Sequence, residues 1–132
     1  MMREASCCCG QLKLTCQGEP IRVSMCHCLA CQQRTGSAFG VQARFATPQV
    51  SIAGQAQPYV RVGDSGNSVN MHFCPHCGST VYWQFPDSPE FIIVAVGAFA
   101  DPTFPAPKIS IYETRRHPWC VTLDGTISEH WD

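Results

Sequence analysis

Charge of either sign is scarce in this chain. Only 14% of its 132 residues are Asp, Glu, Lys or Arg, against roughly a quarter in an ordinary soluble domain. Nine Lys and Arg stand against ten Asp and Glu, with no basic block. A phosphate backbone therefore finds no electrostatic footprint, and nucleic acid is excluded as an expected partner. The opening MMREASCCCG has no apolar signal core. The longest apolar run, FIIVAVGAFA, falls far short of the ~20 residues a spanning helix needs. These absences point to a cytoplasmic protein with no membrane partner. Low charge leaves room for a homodimer interface, although a surface rich in Ser, Thr, Gln and Gly accounts for it more simply. No linker, repeat or low-complexity tract interrupts the chain, so residues 1–132 read as one domain.

Helical periodicity is nearly absent too. Ten glycines and ten prolines cut the chain into short segments, most of them with strand character. LKLTC alternates, and IRVSM places Ile21, Val23 and Met25 on one face. FGVQARF, VSIAG, PYVRVG, VNMHF, STVYWQF and KISIYET are further strands bounded by turn residues. FIIVAV, apolar at successive positions, fits a central strand covered on both sides. A turn or two of helix is expected from Leu29, stopped by Gly36. The expected class is all-β with one short helix.

What the chain has in excess is cysteine: ten of them. In a reducing compartment such clusters mean metal or catalysis rather than disulfides. Cys7-x-Cys9-Gly10 and Cys74-x-x-Cys77-Gly78 share one grammar. A glycine after the second thiol lets the chain turn tightly enough to aim backbone N–H groups at the sulfurs. Two such pairs make a closed four-thiolate zinc site that staples distant parts of the sheet.

CHCLACQQRTG is left without a partner. Cys26 and Cys28 point the same way on an extended segment, and Cys28 and Cys31 share one face of a helical turn. His27, between two ligands, points away. Three thiolates and an open position mark catalytic zinc, whereas a fourth ligand from Cys16, Cys120, His72 or His117 would make a second staple. Zinc bound by three thiolates is net −1 and a poor source of hydroxide. It is better suited to binding an incoming thiol as thiolate, so thiol addition to a small aldehyde fits better than hydrolysis.

CxCG near the start, CHCxxCQQRTGSAF, FCPHCG and GAFADP together resemble the glutathione-dependent formaldehyde-activating enzyme family, also called the centromere protein V-type domain, from Ser6 to about Trp119. The resemblance implies a zinc-stabilised β-tent of antiparallel sheets. It implies a structural zinc on Cys7, Cys9, Cys74 and Cys77 and a second zinc on Cys26, Cys28 and Cys31. With only three thiolates, the second is expected to be the more labile. The implied activity is that of a carbon–sulfur lyase joining glutathione and formaldehyde, or the reverse. Lys108-Ile109 stands where relatives tend to carry His-Ile, which bears on substrate identity and not on the metal ligands. Arg34, three residues past Cys31, is placed to meet the carboxylate of a thiol substrate or else to lie in solvent. Trp83, Trp119 and Phe39 are expected in the core, with at most one of them walling the substrate pocket. His72 is expected in the strand core and His76 in solvent, with Cys8, Cys16 and Cys120 free. Competing readings are a zinc-stabilised protein-binding module and a redox or zinc-relay protein using the same triad.

Overall fold

The computed structural model describes residues 1–63, 65–120 and 125–132. Eleven strands and one α-helix appear among them. In chain order they are β1 (Met2–Ser6), β2 (Lys13–Gln17), β3 (Arg22–Cys26), α1 (Leu29–Thr35), β4 (Gly40–Ala46), β5 (Val50–Ala53), β6 (Gln57–Val62), β7 (Ser68–Phe73), β8 (Thr80–Gln84), β9 (Phe91–Ala95), β10 (Ile109–Ile111) and β11 (Glu129–Trp131). The all-β class with one short helix is as the sequence indicates. α1 ends at Gly36, whose N–H reaches the Gln32 carbonyl at 2.8 Å.

Two sheets form. The smaller runs β1-β2-β5 and the larger β11-β10-β3-β4-β9-β8-β7-β6. Pairing is antiparallel except where β10 lies parallel to both β3 and β11. Side chains alternate across each strand, so the larger sheet has two distinct faces. Val23, Ala43, Phe45, Ile92, Val94 and Tyr82 look one way and pack on Ala5, Leu14 and Cys16 of the smaller sheet. Phe45, with no exposed surface, meets Phe99 at 6.2 Å between ring centres. β9 sits between β4 and β8 and buries Ile92, Ile93 and Val94 on both faces, as its unbroken apolar run requires.

The opposite face of the larger sheet carries Val69, Met71, Trp83, Ile93 and Ala95 at its centre. Around them lie Arg22 and Ser24 of β3, Gln42 and Arg44 of β4, and Arg61 of β6, all bordering one cavity. β3 and β6 are far apart in strand order, so this face is concave.

Some expectations shift. Of Ile21, Val23 and Met25, only Val23 enters the core. Ile21 precedes the strand and is exposed, while buried Ser24 and Cys26 occupy the other face. β1 and β11 were not legible. In β1 only Ala5 is buried, and β11 is exposed throughout, so neither carries an apolar pattern. Trp119, expected in the core, is 70% exposed and rests edge-on against His117.

Candidate metal centre and its cavity

The two cysteine groups assemble as the spacing suggests. The Sγ atoms of Cys7, Cys9, Cys74 and Cys77 lie within 4.8 Å of one another, with Cys7–Cys9 at 3.5 Å and Cys9–Cys74 at 3.7 Å. A tetrahedral zinc with bonds of ~2.3 Å sets sulfurs about 3.8 Å apart, so this donor set fits zinc without rearrangement. Gly10 and Gly78 take φ of 83° and 81°, the left-handed turns the two knuckles need. The Leu12 and His76 N–H groups point at Cys7 and Cys74 at 3.3 and 3.4 Å. Hydrogen bonds from the Ser79 hydroxyl and backbone pull Cys77 down to about 5. His76 is exposed and meets Gln55 Oε1 at 3.3 Å.

Gln11 escaped sequence reasoning. Its amide donates to Cys74 Sγ at 2.9 Å and to the Gln55 carbonyl at 2.7 Å, and its Oε1 accepts the Gln55 N–H at 2.8 Å. The clamp is possible because Gly54 lies against the Gln11 backbone. A Cβ at position 54 would sit 2.0 Å from the Gln11 carbonyl oxygen. Gly54→Ala is therefore expected to push Gln11 off Cys74. It should cost about 2–3 kcal/mol by urea unfolding and speed the release of zinc loaded on this group about tenfold. An unchanged release rate would show that Gln11 does not support the cluster.

The second group forms where β3 runs into α1. Cys26 ends the strand, Cys28 caps the helix and Cys31 lies in its first turn. Cys28 Sγ accepts the Cys31 N–H at 3.3 Å. The three sulfurs lie within 4.8 Å of one another, each residue 5% exposed or less. Hydrogen bonds from Cys26 and Cys31 draw Cys28 down to about 2, and Cys28 in turn raises Cys26. Cys28 is thus the most readily ionised of three crowded sulfurs, and such a donor set suits a soft divalent cation.

None of the foreseen fourth ligands joins this group among the described residues. His117 Nε2 meets Gln32 Oε1 at 2.8 Å and His72 stacks on Tyr82 at 4.4 Å, half-buried. Cys16 belongs to the core between the sheets and Cys120 is buried elsewhere, while Cys8 is exposed. His27 is fully buried and turned away, its Nε2 3.2 Å from Ser110 Oγ, and burial lowers its pKa. Gln32 braces the turn by donating to the carbonyls of His27 at 2.9 Å and Arg115 at 3.1 Å.

The triad forms part of the wall of a cavity of about 210 Å³. Arg34 borders a neighbouring cavity of about 740 Å³ instead. Its guanidinium lies 4.4 Å from the centre of the Trp83 ring, and Trp83 faces the smaller cavity. Gly40 makes room for Arg34, since a Cβ there would sit 2.6 Å from its Nη2. Burial lowers the Arg34 pKa, partly offset by Cys31 nearby. Arg34 is thus half-buried on an aromatic face and not a solvated surface group. Arg61 borders both cavities. Tyr112 also lines the smaller one, held at φ 56° with its N–H on the Trp131 carbonyl at 2.8 Å.

Residues 2–115 match the family model described as glutathione-dependent formaldehyde-activating enzyme. The fold is similar to a crystal structure of a Rhodobacter sphaeroides protein from a structural genomics programme. The two share 15% identity at a TM-score of 0.56, over 98% of this chain and 99% of that one. No curated protein matches the chain. Among the described residues, no helix is long and apolar enough to cross a membrane.

Proposed function

The chain belongs to the glutathione-dependent formaldehyde-activating enzyme family, and from that premise we propose that it is a zinc-dependent carbon–sulfur lyase of the cytoplasm. It joins a thiol such as glutathione to a small aldehyde such as formaldehyde, and cleaves the adduct in the reverse direction. The observation that carries this reading is the triad: three buried sulfurs on a cavity wall, with no fourth ligand in their group among the described residues. The four-cysteine group, joining residue 7 to residue 77, would hold a structural zinc within a single catalytic unit.

Cys26, Cys28 and Cys31 would hold the second zinc, which supplies the positive charge that keeps an incoming thiol ionised at neutral pH. The protein contributes the surroundings. The Cys31 N–H already donates to Cys28 Sγ, so part of the negative charge on the triad is met by backbone. Val69, Trp83, Ile93 and Ile111 line the cavity with apolar surface and limit competing water. Arg61 sets a positive charge at the boundary between the two cavities and favours anionic groups there.

Metal content under a graded chelator tests the reading, with glutathione as the variable. One zinc per chain should resist the chelator, and a second should leave readily and be retained about tenfold longer with glutathione present. Two equally inert zincs, or a labile zinc indifferent to glutathione, would favour a closed staple and the protein-binding module.

A further inference from the structure

Besides the triad, the wall of the smaller cavity carries three arginines, one of them on the same face of β3 as Cys26. Arg22 and Arg44 are direct register partners on β3 and β4, and Gln42 lies opposite Ser24, one position along the same face. Arg61 arrives from β6 at the far edge of the sheet. Three of the chain's nine Lys and Arg thus converge on one small space. Among the described residues none of the three has a carboxylate within ion-pair distance. Glu129 and Glu90 act on Arg22 and Arg44 only through the longer-range field.

Their hydrogen-bonding capacity is left open as well. The buried Nε atoms of Arg22, Arg44 and Arg61, Nη1 of Arg61 and Oε1 of Gln42 all lack a partner. Buried donors without partners cost free energy and are retained where a ligand completes them. Two of the guanidinium planes are pinned by aromatic rings: Arg22 lies 5.1 Å from Trp131 and Arg44 4.7 Å from Phe91. A fixed planar fork suits a carboxylate better than a mobile ammonium does. Arg22 and Arg44 also repel each other, and a shared anion would relieve that repulsion.

Size decides which reactant is held there. At about 210 Å³ the cavity falls below the ~300–1,000 Å³ typical of sites for drug-sized ligands, so a tripeptide thiol does not fit. The adjoining cavity of about 740 Å³ has room for the thiol's body.

We propose that the carbonyl substrate is itself an anion: a small aldehyde bearing a carboxylate, clamped by Arg22, Arg44 and Arg61 with its carbonyl turned toward the triad. This rests on the thiol–aldehyde reading above. In the step so arranged, the thiolate's electron pair forms the carbon–sulfur bond and the carbonyl π pair moves onto oxygen. That oxygen takes up a proton equivalent to the one the thiol lost. Nothing is oxidised or reduced, and the product is a carboxylated hemithioacetal.

The test compares glyoxylate with formaldehyde, using glutathione and the zinc-loaded enzyme. Wild type should favour glyoxylate in kcat/KM, and Arg44→Gln should cut the glyoxylate-to-formaldehyde ratio by about 10–100-fold. Arg44→Lys should restore part of it, and Arg61→Gln provides a second variant should Arg44→Gln fold poorly. Malonate, which cannot react, should bind wild type about tenfold more tightly than either glutamine variant by calorimetry. A ratio unmoved by the substitutions, or a rise confined to the KM for glutathione, would overturn the proposal and assign the arginines to the thiol. Turnover of formaldehyde with no malonate binding would overturn it while leaving the lyase reading intact. Malonate binding that weakens in the variants, with neither aldehyde turned over, would overturn both the lyase reading and the anionic-aldehyde assignment and leave the arginines as a site for some other anion.

Discussion

Cys31→Ser is expected to abolish thiol–aldehyde turnover, lowering kcat/KM by at least ~100-fold while the protein stays folded. Its sulfur is one of three in the group, and the residue is 4% exposed. Serine nearly matches the volume but keeps its proton at neutral pH, so the site drops to two anionic donors. A ligand set reduced in this way loses far more than the about 10–100-fold that follows from altering a group which merely orients a ligand. The structural cost is small by comparison. The Cys31 N–H still reaches Cys28, the Thr35 hydroxyl still donates to the Cys31 carbonyl at 2.9 Å, and the core between the sheets is untouched. The readout is turnover together with near-ultraviolet circular dichroism and metal content. An active variant, or one that loses both zincs, would contradict the assignment.

Cys74→Ser should do the opposite and remove the fold. Cys74 has no exposed surface and accepts from Gln11 and His76 while facing Cys9 across 65 residues of chain. Structural zinc in small domains contributes roughly 10–16 kcal/mol of apparent binding energy, against a net stability of about 5–15 kcal/mol for a whole domain. Loss of one ligand from a closed site is therefore enough to leave the chain largely unfolded near 37 °C. Thermal unfolding should show a fall of at least ~15 °C or no cooperative transition at all. A well-folded Cys74→Ser protein with full zinc content would mean that the cluster is not a staple. The two substitutions remove the same atom type. Their expected effects differ because the Cys74 group is closed by four protein ligands and ties distant segments together, while the Cys31 group is local and has three.

The cysteine groups were legible because their geometry is local. A strand end, one intervening residue and a helical turn bring Cys26, Cys28 and Cys31 together whatever the rest of the chain does. Each knuckle likewise closes on its own glycine. The core strand β9 was legible from its unbroken apolar run. The parallel placement of β10 between β3 and β11 was not, because pairing order depends on contacts between segments distant in sequence. The arginine wall failed for the same reason. Alternation in FGVQARF puts Gln42 and Arg44 on one face, and that face is polar in the middle of a sheet. A polar stripe on a central strand was the available signal. Only the curl of the sheet shows that Arg61, from another edge, faces the same space. Trp119 was misplaced by residue type: a tryptophan is usually core, but the segment at 113–120 is held through Gln32 and His117, and the ring stays outside.

X-ray absorption at the zinc edge, recorded with and without glutathione, tests most directly whether the triad is an open site that receives a thiol. The expected spectrum without thiol mixes sulfur with a lighter oxygen or nitrogen neighbour, and glutathione replaces that neighbour with sulfur at about 2.3 Å. A spectrum that is all sulfur from the start, or one that glutathione leaves unchanged, would contradict it.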